Sequence, residues 1–289
     1  MKILVLGSGA REHALAWKFK QEGEEVWCLW GNGGTRDLSD ARVAPHPSLK
    51  LLQLARDWEI DLVVVSPLRG IYRAFADTYQ RSRIPCFAPS KKAGELEWSK
   101  GFAKEFMKRN NIPTAEHRTF IDYEEARAYL STVTHPVVIK PSGVVAGWGT
   151  VFPESQEEAQ QDLLDLMVWR KFGHGGEMVV IEELLTGDEI SILNFSDGIT
   201  FRSLPPGQNH RRLSDGSSGP MTCGMGVYAP VDSVSAELKA QIVQDILIPT
   251  FRGLRQEGMP ASSIAMAYFC LLIVNNCPTR SQFSRDTSH

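Results

Sequence analysis

The sequence predicts an α/β protein whose first part is an open, mostly parallel sheet. Short runs that are apolar after their first residue, residues 2–6 and 61–65 among them, alternate with stretches of helical periodicity. Strands covered on both faces must look like this. The apolar runs also feed glycine-rich turns, and open parallel sheets bind ligands outside the carboxyl ends of their strands. With 289 residues, the chain is long enough for two domains or one domain with a sizeable insertion.

Residues 2–6 form the first strand and enter Gly7-Ser8-Gly9-Ala10-Arg11-Glu12-His13-Ala14. Ala14, Leu15, Trp17 and Phe19 then fit a helix packed back on the sheet. A strand over 26–30 leads into Gly31-Asn32-Gly33-Gly34-Thr35. A helix over 51–58, a buried strand over 61–65, a helix over 74–80 and a short strand over 84–87 complete the alternation. His13 stands where a dinucleotide fingerprint has its third glycine, and no acid closes the second strand, so neither a nicotinamide nor a flavin is expected. A phosphate-bearing ligand at the helix N-terminus stays open. Arg11 would serve such a ligand or face solvent.

Residues 90–111 form one or two helices, and strands over 116–121 and 137–140 flank a helix over 124–130. The stretch 136–152 is strand, glycine-rich flap, strand: Val137-Val138-Ile139 runs into Lys140, the flap carries Gly143, Gly147 and Gly149, and Val151-Phe152 follows. Its glycines let backbone N–H groups cradle phosphate oxygens, and Lys140 supplies a point charge. The spacing is not that of a Walker A loop, so the stretch alone fits a phosphate lid or an ordinary hairpin with a surface lysine. A helix over 157–168 and a strand over 178–181 lead to Glu182-Glu183-Leu184-Leu185. A half-buried strand over 188–193 turns at Asp197-Gly198 into 199–204. Residues 205–226 are expected to be a long loop; its Cys223 and Met225 favour binding over disorder. A helix over 236–252, an apolar strand over 265–274 and a frayed tail over 275–289 close the chain.

The net charge of -3 gives a nucleic-acid partner no electrostatic support. No apolar run reaches the roughly 20 residues of a membrane span. The N-terminal run is a strand entering a glycine turn, not a signal peptide. Cys28, Cys86, Cys223, Cys270 and Cys277 lack CxxC spacing and are expected to be reduced thiols of a cytoplasmic protein.

Five stretches in order, residues 7–17, Gly31-Asn32-Gly33-Gly34-Thr35, Leu96-Glu97-Trp98-Ser99-Lys100, Ile181-Glu182-Glu183 and Gly224-Met225-Gly226, resemble the phosphoribosylamine–glycine ligase (glycinamide ribonucleotide synthetase) family of the ATP-grasp superfamily. The resemblance implies a Rossmann-like parallel-sheet domain over 1–98, a connecting helix over 99–112, a mobile ATP-grasp small lobe over 113–186, and an incomplete large lobe over 187–289 with a binding loop at 205–226. It implies ATP-dependent joining of glycine to 5-phosphoribosylamine in purine synthesis, through a glycyl phosphate and with Mg2+. Lys100 and Lys140 would hold the ATP phosphates under the flap of Gly143, Gly147 and Gly149. Glu182, Glu183 and Leu185 would meet the adenine, and Glu189 the ribose. Gly9, Arg11, Glu12, His13, Asn32 and Gly33 would bind substrate with Gln208, His210, Gly224, Met225 and Gly226. Arg211 and Arg212 are the catalytic candidates.

Departures from the family pattern fall at functional positions. Ser66-Pro67-Leu68 replaces Gly-Pro-Glu, Ser142 an aspartate, Trp148 a flap lysine and Cys223 a glycine. Gln282-Phe283-Ser284 stands where the metal-binding Glu-Phe-Asn is expected, so no metal site is expected intact. The family's C-terminal domain is also expected to be missing. Together these lead to a degenerate member with impaired or absent catalysis, which keeps a nucleotide or sugar-phosphate pocket and serves a protein partner or second subunit. An active ligase and an ATP-grasp ligase redirected to another amine and acid are the alternatives.

Overall fold

Four strands, β1 (Lys2–Gly7), β2 (Glu25–Trp30), β3 (Leu62–Val65) and β4 (Cys86–Phe87), pair in parallel in the order β2-β1-β3-β4. This computed structural model describes residues 1–39, 51–66, 74–143, 149–216, 218–259, 265–274 and 277–282. Leu4, Leu6, Leu29, Val63 and Val65 pack with residues of α2 (Leu51–Asp57) and α3 (Phe75–Arg81). Ile3, Val5, Val26, Cys28 and Val64 pack instead with α1 (Ala10–Gln21). Burial on both faces is why the central positions of these strands are apolar without alternation.

The expected helical stretch at 90–111 is two helices, α4 (Lys91–Trp98) and α5 (Lys100–Arg109). Ser99, extended at φ -117, breaks them, and its Oγ accepts a hydrogen bond from Phe102 N at 3.3 Å. The second unit is an antiparallel sheet, β5-β7-β6, of β5 (His117–Phe120), β6 (Val137–Pro141) and β7 (Val179–Glu183). One face, with Phe120, Ile139, Val179 and Ile181, is covered by α6 (Tyr123–Leu130) and α7 (Gln156–Met167). Strand alternation sends Lys140 and Glu182 to the other face, where α5 crosses. Beyond the flap, the second strand of the expected hairpin shrinks to one bridge between Ile139 and Val151. Gly147 and Trp148 lie outside the described residues.

A second antiparallel sheet, ordered β13-β12-β8-β9, is built from β8 (Asp188–Ser196), β9 (Phe201–Ser203), β12 (Ala265–Val274) and β13 (Cys277–Gln282). Ile190 and Ile192 of β8 share a core with Leu96, Phe106 and Met107 of α4 and α5, and with Ile242, Ile246 and Leu254 of the C-terminal helical stretch. That stretch, expected as one helix, runs as α8 (Ala236–Ile242), a π turn (Val243–Leu247) and α9 (Ile248–Gln256). Pro249 lacks the N–H that a regular turn would use there.

Two expectations need correction. Residues 205–226 are not an open loop: β10 (Gln208–Ser214) and β11 (Ser218–Tyr228) form an antiparallel ribbon with register shifts on either side of Arg212. Most of the ribbon faces solvent, so no apolar alternation marks it. The tail is not frayed throughout, because β13 adds an edge to β12. Residues 283–289 lie outside the described part. No described helix is long and apolar enough to cross a membrane.

Candidate functional site

Glu182 is the most deeply placed charge of the sheet β5-β7-β6, with its side chain 0% exposed. Its Oε1 is ion-paired with Lys140 Nζ from β6, and its Oε2 lies 2.5 Å from Lys104 Nζ of α5. Lys104 Nζ also donates to Thr114 Oγ1 at 2.8 Å. Two buried lysines thus share one carboxylate. His117 is the cross-strand partner of Glu182 on β5. Burial pushes its imidazole below the usual 6.5, Lys104 adds to the shift, and a hydrogen bond to the Ala115 carbonyl opposes it.

Lys100 Nζ donates to the Pro141 carbonyl at 2.9 Å, so both lysines expected to hold phosphates meet the same end of β6. The next residue, Ser142, is 2% exposed, and its Oγ accepts from Gly101 N at 2.8 Å, satisfying a free donor at the start of α5. Gly143 N donates to the Gly175 carbonyl at 2.9 Å. A Cβ on Gly143 would come within 2.5 Å of Gly175 Cα, so this glycine permits two backbones to touch. Gly149, at φ +99, packs instead against the side chains of Pro141 and Phe172.

Where β7 passes into β8, Glu183 Oε1 accepts from Glu116 N at 2.8 Å, Leu185 is half-buried, and Glu189 Oε2 lies 3.6 Å from Arg211 Nε. The ribbon thus brings a catalytic candidate to the acid expected on a ribose. Arg212 instead donates to the Gly219 carbonyl at 2.9 Å across the ribbon turn. Gln208 accepts from Tyr228 OH at 2.6 Å, and the His210 ring stacks on Tyr228 at 5.7 Å. Gly224, at φ +149, lies against the Asn209 side chain, while Met225 and Gly226 are exposed.

Most of the expected N-terminal substrate residues build the turns themselves. Glu12 Oε2 accepts from Gly9 N at 2.7 Å, occupying a donor that an anion at α1 would use. Asn32 Nδ2 donates to the carbonyls of Ser8 and Gly9 at 2.9 and 3.2 Å, while its Oδ1 accepts from Gly34 and Thr35 N. The His13 ring packs on Gly34 so closely that a Cβ there would overlap it. Arg11 and Gly33 remain at the surface.

A cleft of about 690 Å³ opens beside this region, with Trp98, Ser99, Tyr123, Ser142, Gly143 and Arg170 in its wall. Neither Lys140 nor Glu182 lines it. Sequence reasoning missed Lys104, although it stands one turn beyond Lys100 on the same helix face, among Phe102, Phe106 and Met107. It also missed the capping part played by Ser142.

Residues 1–97 match the family model for the phosphoribosylglycinamide synthetase N domain, and residues 98–284 the model for its ATP-grasp (A) domain. Over 269 residues the chain is 42% identical to the bifunctional purine biosynthetic protein ADE1 of Schizosaccharomyces pombe, which covers 90% of this chain and 34% of that protein. A phosphoribosylamine–glycine ligase of Allochromatium vinosum is 39% identical over 265 residues, covering 90% of this chain and 62% of the relative. The crystal structure of a phosphoribosylamine–glycine ligase from Thermotoga maritima superposes with a TM-score of 0.82 at 30% identity, over 96% of this chain and 66% of the other. The chain therefore spans about a third of the fused relative and less than two thirds of the single-function one. The parallel N-terminal sheet and the following lobes are the fold of those proteins, and the chain belongs to the phosphoribosylglycinamide synthetase family, with its N domain followed by its ATP-grasp domain.

Proposed function

We propose that this chain binds ATP between the sheet β5-β7-β6 and the sheet carrying β8, as the nucleotide-binding part of a phosphoribosylamine–glycine ligase in purine synthesis. The observation that carries this is the buried Lys104–Glu182–Lys140 cluster, in which two ammonium groups share one carboxylate at the end of β6 that also receives Lys100. Lys140 and Lys100 hold the phosphates at the end of β6. The Glu183 carboxylate is committed to Glu116 N, so adenine recognition falls to the hinge backbone around Leu185. Glu189, steadied by Arg211, faces the ribose. Arg11 and Gly33, exposed on the N-terminal turns, face a sugar phosphate. The corresponding division is a substrate-side unit over 1–98, a connecting helix over 99–112, a small lobe over 113–186 and a large lobe from 187 onward.

Bound ATP supplies the phosphoryl group that activates the glycine carboxylate. The donors expected for Mg2+ do not fit it: Gln282 and Ser284 bring an amide and a hydroxyl where a hard cation takes charged oxygen. A second reading, nucleotide binding without ligation, is favoured by Ser142, where the expected acid is a buried hydroxyl committed to α5.

Titration calorimetry with ATP, followed by an ADP-release assay with glycine and phosphoribosylamine, tests both. ADP release that needs both substrates establishes the ligase. ATP binding without release supports the second reading, and absence of ATP binding overturns both.

A further inference from the structure

Glu182 presents one oxygen to each of two lysines, and the two are not equivalent. Lys104 is the more enclosed, 6% exposed against 10% for Lys140, and is fixed by its bond to Thr114 Oγ1. Lys140, at the end of β6 beside the carbonyl that takes Lys100, is the one at the edge of the cluster. Were Lys140 the only partner of Glu182, the pair would be neutral and closed. An arriving phosphate would then have to draw Lys140 away and strand a carboxylate in the interior, which is strongly unfavourable. With Lys104 on the second oxygen, Glu182 keeps a partner while Lys140 turns to the anion.

We infer that Lys104 is a positioning residue: it holds the charge of Glu182 so that Lys140 can be shared with the phosphates of a bound nucleotide. This rests on the proposed ATP site, and it assigns a part to a lysine outside the pair, Lys100 and Lys140, expected to hold the phosphates. Lys104 acts on the phosphate end of the ligand and leaves the nucleoside end alone.

The test is calorimetric binding of ATP and of adenosine to the unaltered chain, Lys104→Met and Lys104→Arg. In Lys104→Met the ATP dissociation constant rises by about tenfold or more, the size of one charge-assisted contact. Adenosine affinity is unchanged, and Lys104→Arg recovers most of the loss. Should Lys104→Met fail to fold, Lys104→Gln, which keeps a donor but no charge, is judged by the same outcomes. ATP affinity equal to that of the unaltered chain overturns the inference. So does an equal loss for ATP and adenosine, which marks a merely structural tie between α5 and the sheet. If the unaltered chain binds adenosine but not ATP, or neither, the ATP site itself falls and takes the inference with it.

Discussion

Glu182→Gln removes the one negative charge from a cluster whose three side chains are 0%, 6% and 10% exposed. Two buried ammonium groups then lose the carboxylate they share. Removing one partner of a buried ion pair costs about 3–5 kcal/mol, and here two partners are stranded. Lys140, the more open of the two, can turn partly toward water, so the expected loss stays near that range. At about 2–4 °C per kcal/mol for a chain of this size, the melting midpoint should fall by roughly 10 °C. Circular dichroism melts at neutral pH read this directly. The comparison that isolates charge from packing is Lys104→Met with Glu182→Leu and Lys140→Met, an apolar filling of similar volume. Such replacements of a whole buried ionic group often change stability by only about 1–4 kcal/mol, in the favourable direction. A Glu182→Gln chain that melts within about 1 °C of the unaltered one, taken with the scale above, would refute a buried, mutually dependent triad. A triple variant less stable than Glu182→Gln would refute the claim that stranded charge is the cause.

Three further outcomes follow from the same geometry. Gly143→Ala should lose about 1–3 kcal/mol in urea unfolding, because its Cβ would meet Gly175 backbone at 2.5 Å and backbone cannot rotate aside. The His117 imidazole, held by burial below its usual 6.5, takes a proton less readily in the folded chain than in the unfolded one. Its contribution is therefore whole above pH 6.5 and is lost as the pH falls below that value; urea midpoints should drop on that limb, and an undiminished slope in His117→Asn would assign the loss elsewhere. In ATP titrations Lys140→Ala should weaken binding by more than Lys171→Ala, since Lys171 is a 63% exposed partner of Asp165; equal effects would remove Lys140 from the site.

What the sequence made legible was whatever a local pattern records. The parallel sheet shows because Ile3 and Leu4, neighbours in sequence, enter cores on opposite faces, so the strand is apolar from Ile3 to Leu6. Lys140 and Glu182 each follow a core residue of the helix-covered face, and period-two alternation alone puts both on the opposite one. The ribbon of β10 and β11 was illegible for the same reason in reverse. Its register comes from the Tyr228–Gln208 hydrogen bond, the His210 stack and the Gly224–Asn209 contact, none of which leaves a burial period. Lys104 was hidden because its meaning lies in Glu182, on a strand that only tertiary packing brings near.

Ser142 shows how this alters the weight of a single substitution. As a letter, it is a lost aspartate at the root of a flap. In the fold it is a buried acceptor for Gly101 N, 41 residues back, at the first turn of α5. An aspartate there could accept from the same N–H and would gain from the helix dipole as well. Serine therefore keeps the architectural half of the position and drops only its charge. The root of the flap and the start of the helix bearing Lys100 and Lys104 stay joined, with Lys100 Nζ on the Pro141 carbonyl and Ser142 Oγ on Gly101 N. That join keeps Lys100 and Lys104 in register with β6 whether or not ligation follows, which is why binding and turnover have to be measured as separate properties of this chain.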